Sequence, residues 1–248
     1  MFNSQYWPDV WILISRGFVL TIVLSIAVVI GSSVIGVTLG LSSHYGRMST
    51  KKYSLSNTLV TVFVRIFRSV PPLVLLFLLY FGIPSAFDIQ FDALPAAILG
   101  ISLFYGAYMI EVVRSGLESV PVGEVEACKA LGLNRGQSLR FVIFPQGIRL
   151  SLPAGTGLWI GAAKDTALAT GIGLFELTTA MMTVRQITLS SWNVFGVAAV
   201  LYFGLNFGFS RLGSGLERLL GEDRRIARAQ GEKASRGREF AKSRKGST

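Results

Sequence analysis

The sequence predicts an all-α integral membrane protein, a five-span helical bundle with a two-helix loop on its cytoplasmic side. Three observations carry this. Of 248 residues, 51% are hydrophobic and only 15% are charged, too apolar for an ordinary soluble domain. Several stretches reach the ~20 apolar residues that a helix needs to cross a bilayer. The longest polar interruption between them, Glu124 to Pro145, reads as two short helices.

The first span is Phe18 to Leu41. It carries no charge, and Gly36 with Gly40 gives a spacing that lets helices approach closely. The loop 42–56 follows, with Arg47, Lys51, Lys52 and a solvated His44. The second block, 55–82, is interrupted. Arg65 and Arg68 share one helical face. At Ser69-Val70-Pro71-Pro72 the proline disfavours helix before it, so the helix breaks near Ser69 and resumes at Pro72. A short segment to Asp92 holds Asp88 and no Lys or Arg.

The third span, 93–117, contains Glu111 and, near its end, Arg114. The loop 118–148 separates it from the fourth span, 149–173, which holds Pro153, the Gly157/Gly161 spacing and the charged pair Lys164-Asp165. Leu174 to Ser191 reads as a polar connection. The fifth span, 192–220, opens with Trp192 at an interfacial belt position and carries Gly204 and Gly208. From Gly221 the tail has nine Lys/Arg against four Asp/Glu and almost no large apolar residue. Such a tail buries no core and is expected to be disordered. It suits either anionic lipid headgroups or a solvated role that fixes orientation.

Within the long loop, Pro121 suits the first turn of a helix, where its missing N–H costs nothing. Glu124 and Glu126 follow at the positive helix end. Gly132 supplies the left-handed residue that closes this helix. Asn134 caps the next one, with Gln137 as its capping-box partner. That second helix runs through Arg140 into Phe141-Val142-Ile143-Phe144, and Pro145 is expected to stop it.

The net charge of +10 is not a nucleic-acid signal, because the basic residues flank the spans and fill the tail. With five spans, the loop 42–56, the region 114–149 and the tail carry seventeen Lys and Arg on one side. The other side carries two, Arg16 and Arg185. The positive-inside rule then places the N-terminus outside, and the tail and two-helix loop in the cytoplasm. The first nine residues have no basic region and no cleavage site, so no cleaved signal peptide is expected. One Cys and one His exclude a disulfide framework and a Cys/His zinc site. They also leave little from which to build an intramembrane enzyme, which needs a metal set or an activated nucleophile. A channel working without ATP leaves the two-helix loop unexplained.

The loop resembles the cytoplasmic loop of ABC-importer permeases, in which Glu-Ala-Ala is followed at fixed spacing by Gly, Ile and Leu-Pro. Here the pattern stands as Glu126-Ala127-Cys128, Gly132, Val142 and Phe144-Pro145. Further matches make most of the chain similar to permease subunits of polar amino-acid importers, the histidine, glutamine and glutamate type. They are Arg68-Ser69-Val70-Pro71, Glu111 with Arg114-Ser115-Gly116-Leu117, Pro145-Gln146-Gly147-Ile148-Arg149 and Lys164-Asp165-Thr166-Ala167-Leu168. The resemblance implies a type I ABC importer permease in a bacterial inner membrane. It implies a second permease subunit, identical or homologous, two cytoplasmic ATPase subunits that use ATP and magnesium, and an external solute-binding protein. The chain itself has no phosphate loop of the Gly-Xaa4-Gly-Lys-Ser/Thr type, so it hydrolyses no ATP and holds no cofactor of its own. Another small polar solute would fit the same pattern.

By the same resemblance, Glu126, Ala127, Gly132 and Pro145 couple the chain to the ATPase. Glu126 would contact a basic ATPase residue or cap its own helix. The substrate path would involve Arg68, Glu111, Lys164 and Asp165, since charges in spans face a cavity or a partner. Lys164 meets Glu111 or a substrate carboxylate, or else only holds the bundle together. Arg68 faces the substrate or snorkels to the cytoplasmic interface. The helix end after the Ser69–Pro72 break is a further candidate for an anionic substrate group.

Overall fold

The computed structural model describes residues 7–48 and 55–245, with side chains over 8–46 and 57–220. The N-terminal residues 1–6 and the loop residues 49–54, with Lys51 and Lys52, lie outside the described residues. Among the described residues every element is helical. The first, α1 (Trp7–Met48), is far longer than the expected span. It absorbs His44, which is therefore a half-buried helix residue and not a solvated loop residue. Nothing in 42–48 breaks a helix, because no proline interrupts that stretch.

The second block breaks where expected. Helix α2 (Leu55–Ser69) ends, and α3 (Pro72–Phe77) restarts after Pro71 with ψ 139°. A π-turn, Leu78–Gly82, leads into α4 (Ile83–Phe87). The two halves meet at 105°, so the block is a bent element that runs past Gly82, not one straight span. Helix α5 (Ala93–Glu118) matches its expected bounds. Then come α6 (Val122–Ala130) and α7 (Arg135–Ser138).

Pro145 does not stop a helix. A π-turn, Leu139–Ile143, passes directly into α8 (Phe144–Asp165), with Pro145 in the first turn of α8. A proline ring clashes with the carbonyl four residues back. The wider π-turn accommodates that without ending the helix. After α8 a 3₁₀ stretch, Thr166–Ile172, closes on Gly173 at φ 78°. The expected polar connection is in fact α9 (Leu177–Thr188), with Leu177, Ala180, Met181 and Val184 buried on one face. Its apolar residues recur at helical spacing, a signal hidden by the threonines between them. Finally α10 (Ser191–Lys245) is one backbone helix through the tail expected to be disordered. Residues 221–245 contain no proline and are rich in Arg, Ala, Glu and Lys, which favour helix without needing a core.

Among the described residues three helices are long and apolar enough to cross a membrane: Pro8–Gly46, Ala93–Glu118 and Ser191–Leu220. The α2–α4 unit and the unit from α7 to α9, bent by 58°, raise the number to five if each is one span. Packing in lipid rests on close contact of small residues and not on the hydrophobic effect. On α1, a Cβ at Gly36 would collide with Met109 of α5, and one at Gly40 would lie 3.0 Å from Val113. Gly116 on α5 faces the backbone carbonyl of Gly147 on α8. Helix α8 in turn takes Gly213 of α10 against Thr156. Among the described residues nothing lies within 4 Å of a Cβ added at Gly204 or Gly208 on α10, and of the pair 157/161 only Gly161 meets a neighbour, Tyr105. The main core gathers Leu24 and Val28 of α1, Leu76, Ile101 and Ala162.

Candidate functional site

The two-helix loop is built from local rules. Pro121 precedes α6 with ψ 136°, and Glu124 stands in the first turn. Gly132 closes α6 at φ 73°. Its N–H bonds the Lys129 carbonyl and the Leu133 N–H bonds that of Cys128, each at 3.0 Å. These two bonds form a Schellman closure that needs the left-handed residue. Asn134 and Gln137 exchange side-chain and backbone bonds at 2.9 Å, a complete capping box. Behind the loop, Leu117, Val120, Leu139 and Ile143 form a buried cluster against which Val125 packs, so the loop is anchored to the ends of α5 and α8.

Its outer surface is open. Glu126, Ala127, Gly132 and Pro145 are all exposed, as are Val122, Leu131 and Phe141. Glu126 does not cap its own helix, since Pro121 precedes α6 without any side-chain cap. Its carboxylate is turned outward with the adjoining apolar residues.

The charges within the spans divide into two places. Glu111 bonds Arg114 at 2.6 Å, one turn along the same helix. Of the alternatives for Lys164, the contact with Glu111 does not form; Glu111 is taken by Arg114 on its own helix. Glu111 and Arg114 line a cavity with Arg68, and the Arg68 guanidinium lies 4.6 Å from the centre of the Tyr108 ring. Elsewhere, Asp165 accepts the Tyr105 hydroxyl at 2.8 Å, which joins α8 to α5. Lys164 and Asp165 therefore take different surroundings, as adjacent helical residues must. Lys164 is exposed to an open groove of about 480 Å³ walled by Tyr202, Phe203, Asn206, Phe207 and Ser210 of α10. Among the described residues it has no ion pair. A lone ammonium in such a groove is chemically a carboxylate acceptor. The end of α3 after the Ser69–Pro72 break carries no side-chain cap, and α3 is only six residues long.

One acid was missed in the sequence. Glu176 is completely buried. Its Oε1 accepts the Thr170 hydroxyl at 2.6 Å and the Thr179 N–H at 3.0 Å. Its Oε2 accepts the Tyr202 hydroxyl at 2.8 Å, with Thr21 Oγ1 at 3.4 Å. Thr21 also accepts the Leu177 N–H at 2.9 Å. One carboxylate thus binds α1, the 3₁₀ stretch, α9 and α10. The available signal was an acid followed by Leu-Thr-Thr, an N-cap signature at the head of a helix.

Comparison with known proteins follows the same architecture. Residues 33–220 match the family model described as a binding-protein-dependent transport system inner membrane component. The probable amino-acid permease protein YxeN of Bacillus subtilis (strain 168) is 33% identical over 203 residues, which cover 81% of this chain and 88% of that one. The glutamine transport system permease protein GlnP of Escherichia coli (strain K12) is 32% identical over 216 residues, covering 87% and 95%. Among solved structures, an amino acid ABC transporter crystallised with histidines superposes with a TM-score of 0.76 at 27% identity. That match covers 88% of this chain and 99% of the other.

Proposed function

This chain belongs to the family of binding-protein-dependent transport system inner membrane components, and from that membership we infer that it is the permease subunit of an ATP-driven importer of polar amino acids. The observation that carries this is the exposed, internally capped loop anchored between α5 and α8. Its relatives' names supply the substrate class. The chain is a multi-pass membrane protein, and chemistry on ATP belongs to separate cytoplasmic subunits. A second permease subunit, identical or homologous, and an external solute-binding protein complete the assembly.

In this reading there are five spans, near 18–41, 55–82, 93–117, 149–173 and 192–220. The N-terminus is outside, and the loop 118–148 and the tail from 221 are cytoplasmic, the tail beside anionic lipid. Glu126 meets a basic residue of the ATPase, exposed Ala127 and Pro145 belong to the same contact surface, and Gly132 holds the angle between the two short helices. Lys164 offers its charge to the amino acid within the α8–α10 groove, and the Asp165–Tyr105 bond holds the helix that presents it. Arg68 and Glu111 border the route on the cytoplasmic side. Transporter sites near the membrane midplane beside interrupted helices follow this plan, and the 3₁₀ stretch begins two residues after Lys164. The test is co-purification of the tagged chain with an ATPase subunit, combined with uptake of labelled L-glutamine in the same cells. ATP-dependent uptake and a bound ATPase are expected. Uptake that persists without ATP, or a chain that purifies alone, would refute the reading.

A further inference from the structure

Between α2 and α5 lies an open polar cavity of about 530 Å³. Helix α2 contributes Arg65, Arg68 and Ser69, and α5 contributes Tyr108, Glu111 and Arg114. The charges do not balance. Glu111 is engaged by Arg114. Among the described residues neither Arg65 nor Arg68 has an ion-pair partner. Both are exposed to the cavity side of α2, three residues apart. The ring of Tyr108 steadies Arg68 at 4.6 Å, a cation–π contact that leaves guanidinium N–H donors free at the edge.

Depth decides what can bind there. Helix α2 returns into the bundle alongside α1, since Ser43 bonds Asn57 at 2.8 Å and Val64 packs in one cluster with Ile35 and Leu39. At a rise of ~1.5 Å per residue, Arg65 and Arg68 lie roughly 12–17 Å along α2 from Asn57. With Asn57 at the cytoplasmic end of its span, as in the five-span reading above, that distance places both arginines inside the membrane and not among the headgroups. Two unpaired arginines at that depth face water or an anion. The Lys164 groove is a separate place, on α8 and α10.

We propose that this cavity is a carboxylate site on the cytoplasmic half of the route, where Arg65 and Arg68 together hold the α-carboxylate of the departing amino acid. Forked guanidinium groups match a planar carboxylate with paired hydrogen bonds. The site rests on the importer reading above and adds to it a second stop after Lys164.

The experiment is arginine modification by phenylglyoxal on the purified full chain, mapped by peptide mass spectrometry. The probes are L-glutamine, L-glutamate and 4-aminobutanamide, which is glutamine without its α-carboxyl group. Both amino acids are expected to slow modification of Arg65 and Arg68 by about tenfold, the scale of a charge-assisted hydrogen bond. The decarboxylated amine should give no protection, and exposed Arg185 on α9 should react equally throughout. No protection by either amino acid overturns the proposal. Protection by inorganic phosphate or phosphatidylglycerol without any from the amino acids overturns it too, and assigns a headgroup site. In the assembled transporter, Arg65→Gln and Arg68→Gln should each lower uptake by about tenfold with the ATPase still bound. Unchanged uptake in both variants is a second refutation. If the wild-type chain fails to support uptake, the importer reading falls. If wild-type uptake is intact but protection is absent, only the carboxylate site falls.

Discussion

Removing the Glu176 side chain would leave the Thr170 hydroxyl, the Thr179 N–H and the Tyr202 hydroxyl facing no acceptor. Hydrogen bonds to a charged group contribute about 1.5–3 kcal/mol each, and buried donors left unpaired add a further penalty. Glu176→Ala is therefore expected to destabilise the chain by about 3 kcal/mol or more. Glu176→Gln keeps the Oε1 acceptor for Thr170 and Thr179, and should cost roughly half as much. Thermal melting in detergent reads the order: wild type highest, then Gln, then Ala. Three equal melting points would show that the network does not hold the joint. The same scale explains which charges could be read in advance. The sequence placed Glu111 and Asp165 in spans but did not pair them with the residues they meet. Arg114 is one turn from Glu111 on the same helix, whereas Tyr105, the partner of Asp165, is neutral and sixty residues away. Local spacing is visible along a chain, and a neutral donor on another helix is not.

Among the elements, the two-helix loop was largely legible because its signals are short-range: proline at the start, glycine at the close, Asn and Gln at the cap. The break at Ser69–Pro72 was legible for the same reason. Helix α9 was not, because four threonines masked a buried face that exists only once α1 lies against it. Pro145 misled in the other direction, since a π-turn lets a proline enter a helix that it would otherwise end. The loop also gives a clean substitution. At Gly132 nothing lies within 4 Å of an added Cβ, so the cost of a side chain is purely that of the left-handed backbone, about 1–2 kcal/mol. Gly132→Val should leave the chain inserted and yet lower ATPase stimulation and uptake, while Gly132→Asn, which tolerates that backbone, should retain most of both. ATPase assays and uptake in the same preparations measure this. Full coupling in the Val variant would remove the loop from the role given to it.

At the scale of the whole molecule, topology makes the sharpest claim. Asp88 is exposed just past α4, and Gly123 is exposed at the start of α6. Cysteines placed at these two positions should label from opposite faces with an impermeant maleimide: Asp88→Cys in intact cells, Gly123→Cys only after permeabilisation. The native Cys128 is 3% exposed and adds little background. Labelling of both from outside would end the proposed orientation. Only 11% of the most apolar stretch of α10 is buried, and among the described residues nothing lies within 4 Å of a Cβ added at Gly204 or Gly208, so one flank of α10 is open. Yet this loosely held helix carries Tyr202. The partners of Glu176 leave the ribosome in chain order, with Thr21 far ahead, Thr170 and Thr179 on either side of the acid, and Tyr202 last. Until α10 arrives, one oxygen of that carboxylate has only Thr21 at 3.4 Å. A chain that stops short of α10 therefore keeps a buried acid with one oxygen poorly bonded, and the last helix completes its hydrogen bonds.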